Sequence, residues 1–515
     1  MKPSMICLLL ACTPLTAQTT QKSQDQRPNI VFIFSDDHAV QAISAYGSGL
    51  NKTPNIDRIA QEGVLFTQSF CGNSICAPSR ATVLTGKHTH KNGQRDNRTV
   101  FDGKQVTFPK LLHAAGYQTA LIGKWHLKSD PTGFDHWDIL KGQGNYYNPV
   151  FRTSEGRKRI EGYATDIITD KSLAWLDKRD PKKPFLLMCQ HKAPHRTWAP
   201  APRHLHLYDD VTFPEPPTLF DNWEHRSRLL AKNEMSIRDY FYWDYDLKVR
   251  NSGLPNPFGR NYKSPEYRRM TKAQRKLWDA AYMPKNKLFL EHLPEGKEMV
   301  RWKYQRYIKD YLRTIQAVDE SVGRILDYLD KKGLTDNTIV VYSSDQGFYL
   351  GEHGWFDKRW IFEESLRMPL LMRWPGHIQK GSKIDFLVQN IDYAPTFLQA
   401  AQVRVPKEMQ GESMLPMFQP EPSEQILWRK AIYYCYYEVG EHNVPRHEGV
   451  RNSRYKLFFI PKTQEWQLFD LVKDPHELVS VHADPAYAGI LKQMRQTLLD
   501  LRKKYDAHPW PLPKD

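Results

Sequence analysis

The sequence predicts an α/β protein: a mixed, mostly parallel sheet sandwiched by helices, followed by a small α+β subdomain with an antiparallel sheet. Three observations lead there. Short apolar runs rich in β-branched and aromatic residues alternate with helix-compatible stretches, the rhythm of a parallel sheet covered on both faces. Charged and polar clusters follow directly on those runs, where open α/β sheets carry their functional loops. A chain of 515 residues exceeds the span of a single core, so a large domain plus a smaller one is expected.

Asn29 to Phe34 is the first strand, and Thr119 to Ile122, Phe185 to Gln190, Thr338 to Ser343 and Leu370 to Trp374 are the next. Between Trp302 and Lys332, Tyr304, Ile308, Tyr311, Leu312, Ile315, Val318, Val322, Ile325 and Leu329 recur at helical spacing, and Gly333 stops the helix. The stretch 203–298 breaks the rhythm with Trp, Tyr, Pro, Arg and Lys. It is either a long insertion that walls a cleft or a structural elaboration packed elsewhere. After Pro420-Glu421-Pro422 the pattern changes again: Ala431 to Glu438, Arg454 to Ile460 and Glu465 to Leu471 are antiparallel strands, and Ala488 to Lys504 is a terminal helix. The expected division is a large domain over 28–424 and a subdomain over 425–515.

With 40% hydrophobic and 25% charged residues, the chain is neither disordered nor membrane-embedded. Lys2, the apolar run Ile6 to Leu10 and Leu15-Thr16-Ala17 have the order of a secretory signal over 1–17, with a polar spacer over 18–27. The apolar run is too short to span a bilayer. Export across the inner membrane, to the periplasm and without a transmembrane helix, is the expectation; acylation at Cys12 after Leu10-Ala11 ranks second. Cys7 and Cys12 leave with the signal, and Cys71, Cys76, Cys189 and Cys435 are too few for a disulfide scaffold in so large a chain. A net charge of +15 calls for an anionic partner. Nucleic acid is not expected, because no helix-turn-helix, finger or RNP-type string is present.

The chemistry gathers where strands end. Ser35-Asp36-Asp37-His38 places adjacent carboxylates after the first strand, and they repel unless a cation holds them. Ser344-Asp345-Gln346-Gly347 offers further oxygens after another strand, and together these make a hard all-oxygen site suited to calcium rather than zinc. Lys124 and His126, two apart on an extended segment, point the same way. Ala193-Pro194-His195 and the Glu352 to Lys358 stretch supply another histidine and another lysine.

Cys76-Ala77-Pro78-Ser79-Arg80, continued through Ala81, Thr82, Val83 and Leu84 to Thr85-Gly86, resembles the signature of the formylglycine-dependent (type I) sulfatases of the alkaline-phosphatase-like superfamily. The resemblance runs from Arg27 to about Lys504 and implies that fold. It implies that a formylglycine-generating maturation enzyme oxidises Cys76 to formylglycine (3-oxoalanine), whose hydrate has one hydroxyl to attack sulfur and one to expel the product. It places one Ca2+ on Asp36, Asp37, Cys76, Asp345 and Gln346; Asn is the commoner residue where Gln346 stands, so the carbonyl donor is kept on a longer arm. By the same resemblance Arg80 holds the formylglycine hydrate, Lys124 and Lys358 stabilise developing charge, His195 is the general acid and His126 assists the second hydroxyl.

Gly123 to Leu127, Pro131 to Asp135, Gly142 to Pro149 and Arg446 to Arg451 are similar to bacterial N-acetylglucosamine-6-O-sulfatases. This implies exo-acting removal of 6-O-sulfate from N-acetylglucosamine in heparan-type glycosaminoglycans or mucin glycans, with a sulfated glycan as partner. The His/Arg-rich loop Glu441 to Arg451 suggests that His447 closes on a ring hydroxyl, and Arg196, Trp198 and Arg359 flank the catalytic motifs as further substrate contacts. The alternatives are a sulfatase for galactose-6-sulfate or uronate-2-sulfate, a phosphate or phosphonate monoester hydrolase of the same fold, and a silent glycan-binding protein in which Cys76 is never converted.

Overall fold

The structure, a computed structural model, describes residues 27–419 and 426–513. The signal segment, Cys12, the spacer up to residue 26 and the Pro420–Pro422 boundary lie outside the described residues. A ten-stranded sheet organises the large domain. From edge to edge its strands are Ser382–Ile384, Val64–Phe66, Leu370–Arg373, Thr338–Ser344, Asn29–Asp36, Phe185–Pro194, Gln118–Gly123, His136–Leu140, Val150–Thr153 and Gly156–Arg159. The central run from Thr338–Ser344 to His136–Leu140 is parallel. Leu370–Arg373, expected to join the parallel set, pairs antiparallel to Thr338–Ser344.

Strand alternation sends side chains to both faces. Ile30, Phe32 and Phe34 enter one core with Leu186, Met188, Val341 and Phe397, while Val31 and Ile33 enter the other with Leu187, Val340 and Tyr342. The second core is closed by the helix Gly296–Lys331 through Val318, Val322, Ile325 and Leu329. Its N-terminal half turns Tyr304, Ile308 and Tyr311 under the loops at the strand ends. The first core is closed by the helices Cys76–Thr85 and Tyr393–Ala400.

Gly123 ends its strand at φ +113°, and a Cβ there would lie 1.8 Å from the Gln190 carbonyl oxygen. Only glycine allows the backbone this approach, from which Lys124 is launched into the site.

The C-terminal sheet has the order Ala431–Tyr436, His447–Asn452, Tyr455–Ile460, Glu465–Asp470, all antiparallel, with the helix Ala488–Tyr505 packed on it. The second strand was unforeseen, because His-Glu-Gly-Val-Arg-Asn reads as a polar loop. It is buried because each charge finds a partner: Glu448 pairs with Arg502 (Nε to Oε2 3.0 Å), and Arg451 with Glu363 (3.2 Å).

Within 203–298, the helix Lys272–Glu291 starts at a Thr271/Gln274 capping box. Its neighbours tie into the rest of the protein. Arg226 grips Asp221 at 2.6 and 2.7 Å, Asp221 accepts from His353 Nδ1 at 3.0 Å, and Trp223 Nε1 donates to the His353 carbonyl at 2.9 Å. The loop that ends in Lys358 is thereby clamped to this segment.

Two predictions follow from these contacts. Gly123→Ala should destabilise the protein by about 2 kcal/mol or more through backbone clash and positive-φ strain; an unchanged urea midpoint would refute the close-approach argument. Burial alone would lower the His353 pKa, but the hydrogen bond to Asp221 and the Glu364 carboxylate 3.7 Å away outweigh it and raise it to about 9. Relative to an unfolded value of about 6.5, the folded state then binds the extra proton. The stabilisation is full below about 6.5 and is lost as pH rises through about 9. His353→Asn should therefore cost more stability at pH 6 than at pH 9.5, and equal losses at both would count against the clamp.

Candidate active site

The site forms at the carboxyl ends of the parallel strands. The helix Cys76–Thr85 points its N-terminus at it and ends at Gly86 in the left-handed region (φ 62°). Cys76 is 1% exposed and stands in the first turn, where unpaired backbone N–H groups favour negative charge. Ala77 N–H donates to Asn97 Oδ1 at 3.0 Å. Ser79 Oγ donates to the Asp345 carbonyl and accepts from Asn390 Nδ2 at 2.8 Å, which locks the helix against the carboxylate loop. One turn on, Arg80 Nη2 lies 3.0 Å from Asp345 Oδ2 and 3.7 Å from Asp36 Oδ1, and Nη1 donates to Gln190 Oε1 at 2.6 Å.

Asp36, Asp37 and Asp345 each present an oxygen within 4.8 Å of the others, all fully buried. Asp37 adopts φ 64°, held by Tyr311, whose hydroxyl donates to the Asp37 carbonyl at 2.7 Å and accepts from Ala39 N–H at 2.8 Å. Asp37 N–H donates to Asp345 Oδ1 at 3.1 Å. Burial raises the Asp37 and Asp345 pKa values, the neighbouring carboxylates add to this, and despite Lys358 and Arg80 they reach about 7 and about 6. Asp36 differs: burial is outweighed by Lys124, His195 and Arg80, which hold it well below the usual carboxylate range. Asp36 Oδ1 and Gln346 Oε1 are buried with no hydrogen-bond partner, while Gln346 Nε2 faces Asp37. Amide oxygen and nitrogen exchange by rotation, so Gln346 can offer its carbonyl to the same point. Crowded hard oxygens with unmet acceptor capacity fit a divalent cation of the calcium type.

Cations close the pocket from the other side. Lys124 donates to Asp36 Oδ2, and Lys358 Nζ bridges both Asp37 oxygens at 2.6 and 2.7 Å. Burial opposes the Lys358 charge, but Asp37 and its anionic neighbours raise the pKa well above normal. Cys76, Asp36 and His195 also bring potential donor atoms within 4.8 Å of one another. His195 Nδ1–H donates to the Arg196 carbonyl at 2.7 Å, which leaves Nε2 toward the carboxylates, 3.8 Å from Asp37 Oδ2. His126, at φ 57°, is the other half-buried histidine of the rim, and its Nδ1 has no partner. Burial and then Lys124 lower the His126 pKa; burial lowers that of His195, with Asp36 opposing. Burial and Asp36 push the Cys76 thiol well up, so an unmodified Cys76 is a protonated, weak nucleophile.

The candidate substrate contacts divide. Arg359, at φ 96°, reaches Glu438 at 3.4 Å and Asp357 at 3.7 Å, and its Nε has no hydrogen-bond partner. His447 is on a strand, not in the expected loop. Its ring stacks on Trp360, Tyr434 and Tyr436 at 5.0–5.6 Å, Nδ1–H donates to the Pro445 carbonyl at 2.9 Å, and Nε2 is unpartnered. Arg196 is held by Asp246 at 2.6 and 2.7 Å and lies over Phe356. Trp198 must be corrected: it is fully buried among Phe241, Tyr307, Phe348 and Phe356, so it belongs to the core beneath the site and offers no face to a ligand.

The sequence did not single out Lys192, Tyr436 and Asp357. Lys192 lies over Tyr146 at 4.9 Å, and burial brings its pKa down to about 8. Tyr436 Oη is buried without a partner beside His447. Asp357, at φ 75°, pairs with His442 at 3.2 Å. The stretch Asp357-Lys358-Arg359 was a usable signal for the last of these.

Comparison with known proteins agrees with this geometry. The Sulfatase family model matches residues 28–403, and the model described as N-sulphoglucosamine sulphohydrolase, C-terminal, matches 351–504. The chain is 48% identical over 512 residues to an N-acetylglucosamine-6-O-sulfatase of Bacteroides thetaiotaomicron, covering 98% of this chain and 91% of that protein. It is 26% identical over 442 residues to the N-acetylglucosamine-6-sulfatase of Homo sapiens, covering 81% and 68%. A solved structure in complex with its substrate D-glucosamine-2-N,6-O-disulfate superposes with a TM-score of 0.91 at 47% identity, covering 94% of this chain and 99% of that one. With a family model over most of its length and these relatives, and with the Cys76 helix aimed at buried carboxylates and cations, the chain is a member of the sulfatase family, the sulfuric ester hydrolases.

Proposed function

We propose that this protein hydrolyses the 6-O-sulfate of N-acetylglucosamine at the non-reducing end of a sulfated glycan, using formylglycine made from Cys76 and one calcium ion. The observation that carries the reading is the convergence of Asp36, Asp37, Asp345 and Gln346 with Cys76, Lys124, His195 and Lys358 in one buried pocket. The substrate follows from relatives that act on glucosamine 6-sulfates.

The Cys76 Sγ stands where the formylglycine hydroxyls would be, and the formylglycine hydrate supplies one hydroxyl as nucleophile and a second for product expulsion. Calcium on Asp36, Asp37, Asp345 and Gln346 supplies positive charge for the sulfate oxygens. This chain's residues do the rest. Arg80 holds the nucleophile's turn against Asp345 and Asp36. Lys124 and Lys358 face the negative charge that grows on the sulfonyl oxygens. His195, oriented by the Arg196 carbonyl, gives its Nε2 proton to the departing sugar oxygen; an anionic ester beside it offsets the burial that disfavours its charge. His126 accepts the proton of the second hydroxyl. For the sugar, His447 Nε2 is a buried nitrogen without a hydrogen-bond partner beside Tyr436, which in turn neighbours Arg359, and a ring hydroxyl would satisfy it. A cleaved signal, periplasmic export and a formylglycine-generating maturation partner complete the proposal. Among the described residues no helix is long and apolar enough to cross a membrane.

The deciding experiment is desulfation of 6-sulfated N-acetylglucosamine, 6-sulfated galactose and a 2-sulfated uronate disaccharide by protein whose Cys76 peptide carries formylglycine by mass. Release from the first alone is expected; release only from another discards the substrate, and release from none discards the reaction. Cys76→Ala, Lys124→Ala and His195→Ala should each lower kcat/KM by about 100-fold or more, and near-wild-type turnover by any of them removes that residue's role. A calcium chelator should abolish turnover and lower Tm; an unchanged Tm argues against a resident ion. His447→Ala should lower kcat/KM by about tenfold or more, and no change would remove it from the sugar site.

A further inference from the structure

A second cationic surface lies outside the candidate site. Two neighbouring cavities of about 370 and about 360 Å³ share Arg446 and Trp510. One adds Lys232 and Lys462, the other Arg95 and Tyr437. Among the described residues Arg95, Lys232, Arg446 and Lys462 form no ion pair, and all four are exposed. The two carboxylates that line the cavities, Asp96 and Asp506, are already engaged. Asp506 pairs with Lys91, and Asp96 Oδ1 is consumed by its own turn, accepting from Arg98 N–H at 2.9 Å and Thr99 N–H at 2.7 Å. Aromatic faces stand between the cations: Arg95 lies over Tyr437 at 5.5 Å, and Arg446 Nε is fixed to the Tyr437 carbonyl at 2.9 Å.

The groove is joined to the nucleophile by a short chain of contacts. Asn97, which caps the Cys76 helix through Ala77, donates its N–H to Glu438 Oε2 at 2.8 Å, and Glu438 Oε1 faces Arg359. Arg98 lies against Gly440. Glu438 and Gly440, which meet Arg359 and Arg98, thus belong to the same short stretch, 437–440, that lines both cavities. Cations alternating with aromatic faces, open to solvent at neutral pH, suit pyranose rings that carry sulfate or carboxylate.

We propose that this groove is a leaving-group subsite that binds the remaining units of a sulfated, uronate-bearing oligosaccharide while its terminal residue occupies the catalytic pocket. The proposal rests on the glycan-sulfatase reading above and adds to it the residues that would hold the rest of the chain. Uncompensated charge at the groove supplies affinity only for substrates long enough to reach it.

The test compares free 6-sulfated N-acetylglucosamine with a heparin tetrasaccharide ending in the same residue, using formylglycine-bearing wild type and the Arg446→Ala/Lys462→Ala variant. Wild type should have a KM about tenfold lower for the tetrasaccharide. The variant should erase that gap while its turnover of the monosaccharide and its Tm stay as in wild type. An unchanged tetrasaccharide KM in the variant overturns the subsite. So does equal competition by a single-stranded DNA oligonucleotide of matched charge, which would mark an unselective polyanion surface. Calorimetric binding of the tetrasaccharide to Cys76→Ala, with and without the two groove substitutions, reads the groove independently of catalysis. Failure of both sugars to react discards the reaction proposed above, and the binding arm still decides the groove.

Discussion

The structure depends on neutralising three carboxylates that the strand ends force into one buried pocket. Asp36, Asp37 and Asp345 would repel one another at this spacing and resist burial. Arg80, Lys124 and Lys358 hold them, each arriving from a different element: the Cys76 helix, the loop after Gly123 and the loop after His353. Because each cation answers a particular carboxylate, these loops are tied to one geometry. A divalent cation added to this balance leaves the pocket positive, the condition an anionic ester needs.

The same constraint propagates outward. The loop that delivers Lys358 also carries Asp357 and Arg359 at positive φ, a costly backbone for non-glycine residues. It is held by His353 on Asp221 from one side and by Arg359 on Glu438 from the other. Lys456 with Glu363 and Glu477, and Arg451 with Glu363, carry the pairing into the C-terminal sheet. The two sheets also share one apolar core, in which Tyr434, Phe458 and Phe469 pack with Trp360, Ile361 and Phe362, and the ion pairs are set into that seam. Removing one partner of such a pair is costly, because it leaves the other charge buried and uncompensated.

Backbone geometry sets where the chemistry points. Tyr311, from the long helix under the sheet, holds Asp37 in its turned conformation, and Gly123 lets one strand close on its neighbour before Lys124 departs. Trp198 contributes in the same indirect way, as part of the aromatic floor beneath Arg196 and Phe356. Residues far from the reacting atoms therefore decide whether the pocket exists.

The sequence by itself determined the central strands, the long helix and the motifs at their ends, because apolar period and local turn chemistry are written in neighbouring residues. Asp36-Asp37, Lys124, His126, His195 and Asp345-Gln346 were legible as site candidates for that reason, and the Cys76 string supplied the family and, through that resemblance, Lys358. What it could not determine was pairing across the chain. The His447–Asn452 strand looked polar because the partners that permit its burial, Arg502 and Glu363, lie 54 and 88 residues away. Trp198 looked available because nothing adjacent in sequence announces the aromatic cluster that encloses it. Only the tertiary structure decided these cases, since burial of a charge or an aromatic ring is a property of its neighbours in space.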